Sequence, residues 1–241
     1  MASYRQTVHA YPSGGGDYEV ATVNLGPNAG LTVGSALLVD YVLTVAVSIS
    51  AAVANLGSVV PFVSRYSVVF SVVAIVLLTA VNLRGVRESG KAFAIPTYLF
   101  MLSVIAMGLV GVVRRTTGTL PQAESGPLQL APEPGMEQLG TLAMAFLLLR
   151  AFSSGCAALT GVEAISNGVP AFRKPKSTNA ATTLLLMGAI AVTMLLSMIA
   201  LATWTGVKVA EDPGQQLLRD GVPVGDGYVQ HTVMAQVAMS V

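Results

Sequence analysis

Asp40, Tyr41, Thr44 and Ser48 fall within the run DYVLTVAVS, with Thr44 and Ser48 four and eight residues after the acid. Spacings of three and four share one face of a helix, so a carboxylate, a phenol and two hydroxyls line up along a single stripe. A second set lies in SSGCAALTGVEA, residues 153–164, which holds Ser153, Ser154, Gly155, Thr160, Gly161 and Glu163. Both sets interrupt apolar runs. An ionisable side chain at membrane depth marks an ion or substrate path or a proton relay, because an unpaired Asp costs roughly 2.5–3.5 kcal/mol to insert. Plainer readings stand beside this one. Ser and Thr bond back to the carbonyl four residues earlier, Tyr sits at membrane interfaces, and small residues let helices approach closely. Those readings account for the hydroxyls and the glycines but not for Asp40 or Glu163.

Composition identifies what surrounds these residues. Of 241 residues, 53% are hydrophobic and 10% charged, and the mean hydropathy is +0.68. Soluble domains carry about 25% charged residues, so depletion along the whole chain implies an integral membrane protein. Thirteen basic and twelve acidic residues leave a net charge of +1, with no basic block for nucleic acid. Cys156 is the single cysteine, so the chain forms neither an internal disulfide nor a thiolate metal cluster. His9 and His231 are far apart, and no nucleophile, base and orienting group form a set, so no enzyme is expected. The opening MASYRQTVHAYPSGGG has no apolar core of the kind a signal peptide needs.

A membrane helix takes about 20 mostly apolar residues. Five stretches qualify: 31–60, 66–83, 93–113, 139–169 and 180–203. Residues 1–30 are too polar to span, and Gly14-Gly15-Gly16 reads as a turn, not a phosphate loop, since no Lys-Ser/Thr follows. Residues 116–138 read as a Pro- and Gly-rich surface loop, and 205–241 as an outer polar segment followed by the start of a further element. Arg84, Arg87, Lys91, Arg173, Lys174 and Lys176 occupy two short links that alternate onto one side together with Arg5. The positive-inside rule then places residues 1–30 in the cytoplasm and 205–241 outside, in a multi-pass protein of the plasma membrane. In the fourth span, Gly155 and Gly161 with Ser153, Ser154 and Thr160 favour local unwinding, which is tolerated at membrane depth where backbone lines protein or a water-filled cavity. Arg150, just before this break, is expected to face an aqueous vestibule or an acidic partner, and Cys156 to pack as a small apolar residue.

Three blocks resemble a known family. ALTGVEAISNGVPAFRKP, residues 158–175, resembles the sixth helix and following loop of amino acid–polyamine–organocation (APC) permeases. AYPSGGGDY, residues 10–18, resembles the end of the family's second helix and its cytoplasmic loop, and NLRGVRESGK, residues 82–91, the loop between the fourth and fifth helices. Amino acid carriers of the family usually place an aromatic residue before the glycine of the sixth helix. Here Leu159-Thr160 precede Gly161 and the loop reads Phe172-Arg173-Lys174-Pro175, which, with Asp40-Tyr41-Val42-Leu43-Thr44, resembles the KimA-like, proton-coupled potassium-uptake branch.

The resemblance implies an all-α integral membrane protein with part of a LeuT/APC-type fold, about five transmembrane helices, one of them discontinuous. It carries Asp40, Tyr41, Thr44, Ser48, Thr160 and Glu163 over as ion- or proton-handling positions, since potassium suits oxygens that replace its hydration shell. Ser153, Ser154, Gly155 and Gly161 become the helix break, whose freed carbonyls and half-helix ends would bind solute or coupling ion. The chain departs from the family in length. Family members have about twelve spans, and this one starts at the end of the second and stops after the seventh, as a central fragment would. The expected function is secondary active transport, proton-coupled potassium uptake first, an amino acid or organic cation permease second, and a non-transporting membrane fragment or scaffold as the reading from another class. Potassium and protons are the expected ions, with no other metal and no cofactor. The expected partners are the lipid bilayer and a small inorganic cation or amino acid as substrate, with a homodimer left open and no nucleic acid.

Overall fold

The computed structural model describes residues 2–83, 86–131, 141–156 and 161–241. The chain is predominantly helical and divides into two compact units, residues 1–47 with 137–192 and residues 48–136 with 193–241. The division falls inside two long helices, so each unit is described by itself.

The first unit begins with two short helices, α1 (Ala2–Ala10) and α2 (Gly16–Leu25). Asp17 and Glu19 sit in the first turn of α2, where carboxylates suit the positive end of a helix. Gly26 closes α2 and Pro27 opens α3 (Pro27–Val59), the position in which the missing proline N–H costs nothing. Later in the chain come α7 (Thr141–Cys156), α8 (Val162–Asn167), a 3-10 turn (Val169–Ala171) and α9 (Lys176–Thr205). The unit's core is Val8, Val162, Val169, Ala180, Ala181 and Leu184, with Tyr4, Ile165, Phe172 and Met187 packed against it. Every one of these comes from α1, from α9 or from the stretch 162–172, so this core fixes α8.

The second unit holds the rest of α3, then α4 (Pro61–Arg65), α5 (Ser67–Leu83) and α6 (Val86–Thr116), which carries Pro96 inside it. Ile49, Val53 and Val63 form its apolar centre beneath Phe70, Ala74 and Leu78. Strand β1 (Gln129–Leu130) pairs antiparallel with β2 (Leu217–Arg219), which follows α10 (Pro213–Gln216) and pairs with β3 (Val222–Pro223). Asp220 and Gly221, at φ 53° and 83°, make the two-residue turn between β2 and β3, a pairing that matches strand twist when both central residues are left-handed. Helix α11 (Val233–Ser240) follows, capped by the Thr232 side chain accepting from the Ala235 N–H.

Three stretches are long and apolar enough to cross a membrane: α3, Phe93–Thr116 of α6, and α9. Ser67–Leu83 and Thr141–Ser153 are shorter apolar helices. The thirty-three residues of α3 reach about 50 Å, beyond the ~30 Å of a hydrocarbon core, and Leu38, Val42 and Leu43 stand exposed along it.

Three features differ from the sequence reading. Helix α7 continues through Ser153, Ser154 and Gly155 to Cys156, so those three are helical. Serine and glycine cost a helix under about 1 kcal/mol each, too little to stop one already propagating. The stretch 116–138 is more than a surface loop: it supplies β1 and buries Ala123, Ser125 and Leu128. The segment after residue 205, read above as polar, folds into a hairpin and a helix and buries Leu217, Gln236 and Val237.

Candidate functional site

Glu163 stands in the first turn of α8, two residues after Gly161, which adopts φ 98°. A residue with a Cβ seldom takes that angle, so the glycine lets the chain turn from what precedes it into a new helix. Glu163 is half-buried, and its Oε1 is shut off from solvent with no hydrogen-bond partner. Tyr41, on α3, lies within electrostatic reach of this carboxylate. Asp40 on α3 and Asp17 on α2 lie within electrostatic reach of it, and Tyr4 on α1 does too. The result is an electronegative cluster in which one carboxylate oxygen is buried and unpaired. A cation or a proton satisfies such an oxygen; a further carboxylate would not.

Asn167, one turn after Glu163, donates from Nδ2 to the Tyr41 hydroxyl at 2.6 Å. Its Oδ1 is buried and unpaired, as is the Oγ of Ser166, a residue 1% exposed. Both oxygens face the Gly14-Gly15-Gly16 turn. A Cβ on Gly16, at φ 49°, would lie 2.1 Å from Asn167 Oδ1 and 3.5 Å from Ser166 Oγ. One on Gly14 would lie 2.7 Å from Pro170 Cδ. The triple glycine is thus a flat turn pressed on the C-terminal end of α8. Beside it, Tyr4 donates to Asp17 Oδ2 at 2.9 Å, and burial together with the Asp17 carboxylate pushes the Tyr4 phenol well above its ordinary value.

The expected site residues divide. Asp40, Tyr41 and Glu163 come together in the first unit. Thr44, half-buried, lies on α3 one turn beyond Asp40, and Ser48 a further turn along, within the second unit. Thr32 and Ser35 bond back to the carbonyls of Asn28 and Leu31, whereas neither Thr44 nor Ser48 carries such a bond among the described residues, leaving those hydroxyls for other partners. Thr160 lies outside the described residues, and so do the side chains of Ser154, Gly155 and Cys156. Arg150 is exposed on α7. Asn167, Ser166, Asp17 and Tyr4 were not legible as site residues. Tyr4 and Asp17 precede α8 by about 150 positions, and only the fold brings them to it. Among the described residues, no group of three or more His, Cys, Asp and Glu could hold a metal ion.

The second unit carries a separate polar cluster. Ser125, fully buried, donates to Gln236 Oε1 at 2.6 Å and accepts from the Lys208 N–H at 2.8 Å. Gln236 Nε2 donates to the His231 carbonyl at 2.8 Å. Lys208 Nζ donates to the Gly126 and Leu128 carbonyls. His231 Nδ1 meets Glu124 Oε2 at 2.6 Å, and burial, with Glu124 nearby, holds the Tyr228 phenol above its ordinary value. These bonds tie the 123–131 loop to the ends of α9 and α11 and leave no pocket for a substrate at Ser125, which is sealed.

A family model described as amino acid permease matches residues 2–241. The potassium transporter KimA of Bacillus subtilis (strain 168) is 43% identical over 212 residues, which is 88% of this chain and 34% of that protein. The chain therefore spans about a third of the length of the curated relative it matches. Helices α3 and α8 meet through the Asn167–Tyr41 bond, and the match that runs from residue 2 to residue 241 shows the family: the chain belongs to the amino acid permease family.

Proposed function

We propose that this chain is the part of a LeuT-type secondary transporter in which α3 and the α7–α8 junction line the ion path, and that the transporter imports potassium together with protons across the plasma membrane. The observation that carries the proposal is Glu163: a carboxylate with a buried, unpaired Oε1, within electrostatic reach of Tyr41, Asp40 and Asp17. Asp40, Tyr41, Thr44 and Ser48 on α3, with Thr160 before α8, supply further oxygens. Desolvation and a nearby cation act in opposite senses on the carboxyl's proton, so ion and proton compete at one group, which is a physical route to coupling. The likeness to a protein named a potassium transporter supports the choice of ion. The orientation proposed puts residues 1–30 in the cytoplasm and 205–241 outside.

A second reading, uptake of an amino acid or organic cation, is favoured by the family's description. Rubidium uptake by cells expressing the complete transporter separates the two. Glu163→Gln keeps the shape and removes the titration, so pH-dependent uptake is lost, while Leu185→Ala, on the exposed face of α9, changes little. Unchanged rate and pH dependence in a fully expressed Glu163→Gln variant rejects Glu163 as the coupling site. Uptake of amino acids with no response to potassium puts the second reading in place of the first.

A further inference from the structure

We infer that the groove between α1 and α9 is a binding site for the headgroup of an anionic phospholipid, held by Arg5 and His9. The groove shares no lining residue with the Glu163 site, and the inference goes beyond the proposed function without resting on it.

The two helices meet along an apolar seam, in which Tyr4 and Val8 of α1 share a core with Ala180, Ala181 and Leu184 of α9. Beside the seam lies a groove of about 690 Å³, lined by Ala2, Arg5, Gln6, His9 and Ala10 from α1 and by Leu185 from α9. The α1 residues recur at spacings of three and four, so they form one face of that helix, next to the buried Val8. The face presents a guanidinium, an amide and an imidazole among two alanines and a leucine.

Charge decides the class of ligand. No Asp or Glu lines the groove. Among the described residues the one ion pair joins His231 to Glu124, so Arg5 and His9 stand without a carboxylate partner. An arginine is a permanent cation whose forked N–H donors match two oxygens of a phosphate, and an imidazole one turn along adds a further N–H.

Position separates a lipid from a free phosphate. The thirty residues of α9 reach about 45 Å. Centred on a hydrocarbon core of ~30 Å, the helix extends roughly 7 Å beyond it at each end. Leu185 is nine residues after Lys176, about 14 Å along the helix. The groove therefore lies just inside the edge of the hydrocarbon, where long basic side chains reach out to headgroups. Val192, seven residues deeper on the same face of α9, is exposed like Leu185. The two make an apolar strip on which an acyl chain can lie, and a free phosphate has no use for it. Basic pockets between membrane helices hold anionic headgroups in this way. With residues 1–30 in the cytoplasm, the groove opens to the inner leaflet, the anionic one.

Native mass spectrometry and thermal unfolding of the complete transporter, purified in a neutral detergent, test the site with three probes. These are phosphatidylglycerol, phosphatidylcholine with the same chains, and glycerol phosphate, a headgroup without chains. One phosphatidylglycerol should stay bound and raise the unfolding temperature, and the other two should bind about tenfold more weakly. Arg5→Gln should weaken phosphatidylglycerol about fivefold, and adding His9→Gln should weaken it further. Arg115→Gln, at the exposed end of α6, should change nothing. Leu185→Trp fills the groove with the charges intact and should also lower affinity. All four side chains are exposed, so the variants should unfold at the wild-type temperature when no lipid is added. Phosphatidylcholine acting as strongly as phosphatidylglycerol removes the role of charge. Glycerol phosphate acting as strongly makes the groove a phosphate site and not a lipid site. An equal loss in Arg115→Gln reduces the effect to surface charge, and no bound phosphatidylglycerol means that another occupant fills the groove. Each of these four results overturns the inference. Ion uptake is not among the readouts, so failure of the transport reading leaves the inference standing.

Discussion

Adding one methyl group at Gly16 tests the seat of α8 directly. Gly16 has φ 49° and is buried, and an alanine in the left-handed region costs about 1–2 kcal/mol. Its Cβ would stand 2.1 Å from Asn167 Oδ1, where ordinary contact begins near 3.5 Å, so the amide must retreat by about 1 Å. A retreat of that size breaks the 2.6 Å bond to Tyr41, a further loss of about 1 kcal/mol. The gain from a stiffer unfolded chain, roughly 0.4–1 kcal/mol, offsets part of this. A net destabilisation near 2 kcal/mol follows for Gly16→Ala. The obstruction is removed in an Asn167→Ala background, where only the backbone strain remains and the same change should cost about 1 kcal/mol less. Thermal unfolding of the four proteins in detergent, followed by intrinsic fluorescence and by hydrogen exchange in residues 162–172, measures the cycle. Costs that simply add, with no coupling between positions 16 and 167, would refute the claim that the glycine turn seats the amide.

Two further outcomes concern other parts of the chain. Gln236→Leu strips Ser125 of its acceptor and the His231 carbonyl of its donor; each lost buried bond costs about 1–3 kcal/mol, so amides of 123–131 should exchange far faster, and protection equal to wild type would show that the cluster does not hold the loop. Tyr4 is a group whose folded value is raised, so the stability from its bond to Asp17 is full below pH 10, the ordinary tyrosine value, and is lost as pH rises through the folded one. Tyr4→Phe should therefore lower unfolding temperature near pH 8 and close the gap to wild type at strongly alkaline pH; a gap that widens there would reverse the sign of the argument.

Local information reaches some of this structure and not the rest. Hydropathy over twenty residues marks the helical stretches because the property is additive along the chain: 31–60 is observed as helix 27–59, 66–83 as 67–83, and 180–203 as 176–205. The ends shift outward where Pro27 can start a helix and where Lys176 and Thr205 continue one. Asp40 and Glu163 stand out in the sequence because a carboxylate in an apolar run is costly wherever it folds. Asn167 does not: an amide directly before a helix-ending Gly-Val-Pro looks like part of a loop until Tyr41, 126 residues away, is seen at its nitrogen. The β2–β3 hairpin had a local sign in Asp220-Gly221, but its strands are three and two residues long, too short for alternation to register.

The size of α8 bears on how such a site can respond. Six residues cannot sustain a helix alone, since nucleation is unfavourable and isolated helices shorter than about 12 residues are marginal in water. Its place is set from outside, by three kinds of contact. Val162 and Val169 anchor it in the core beneath. Tyr41 holds it sideways through Asn167. The glycine turn closes its C-terminal end. The core contacts do not depend on charge, whereas those to Tyr41 and the turn run through the polar side chain of Asn167. On the proposed function, a proton or cation at Glu163 acts on a short helix held on one side by apolar packing and on the other by a single amide, so the polar side is the one whose contacts a change of charge can alter.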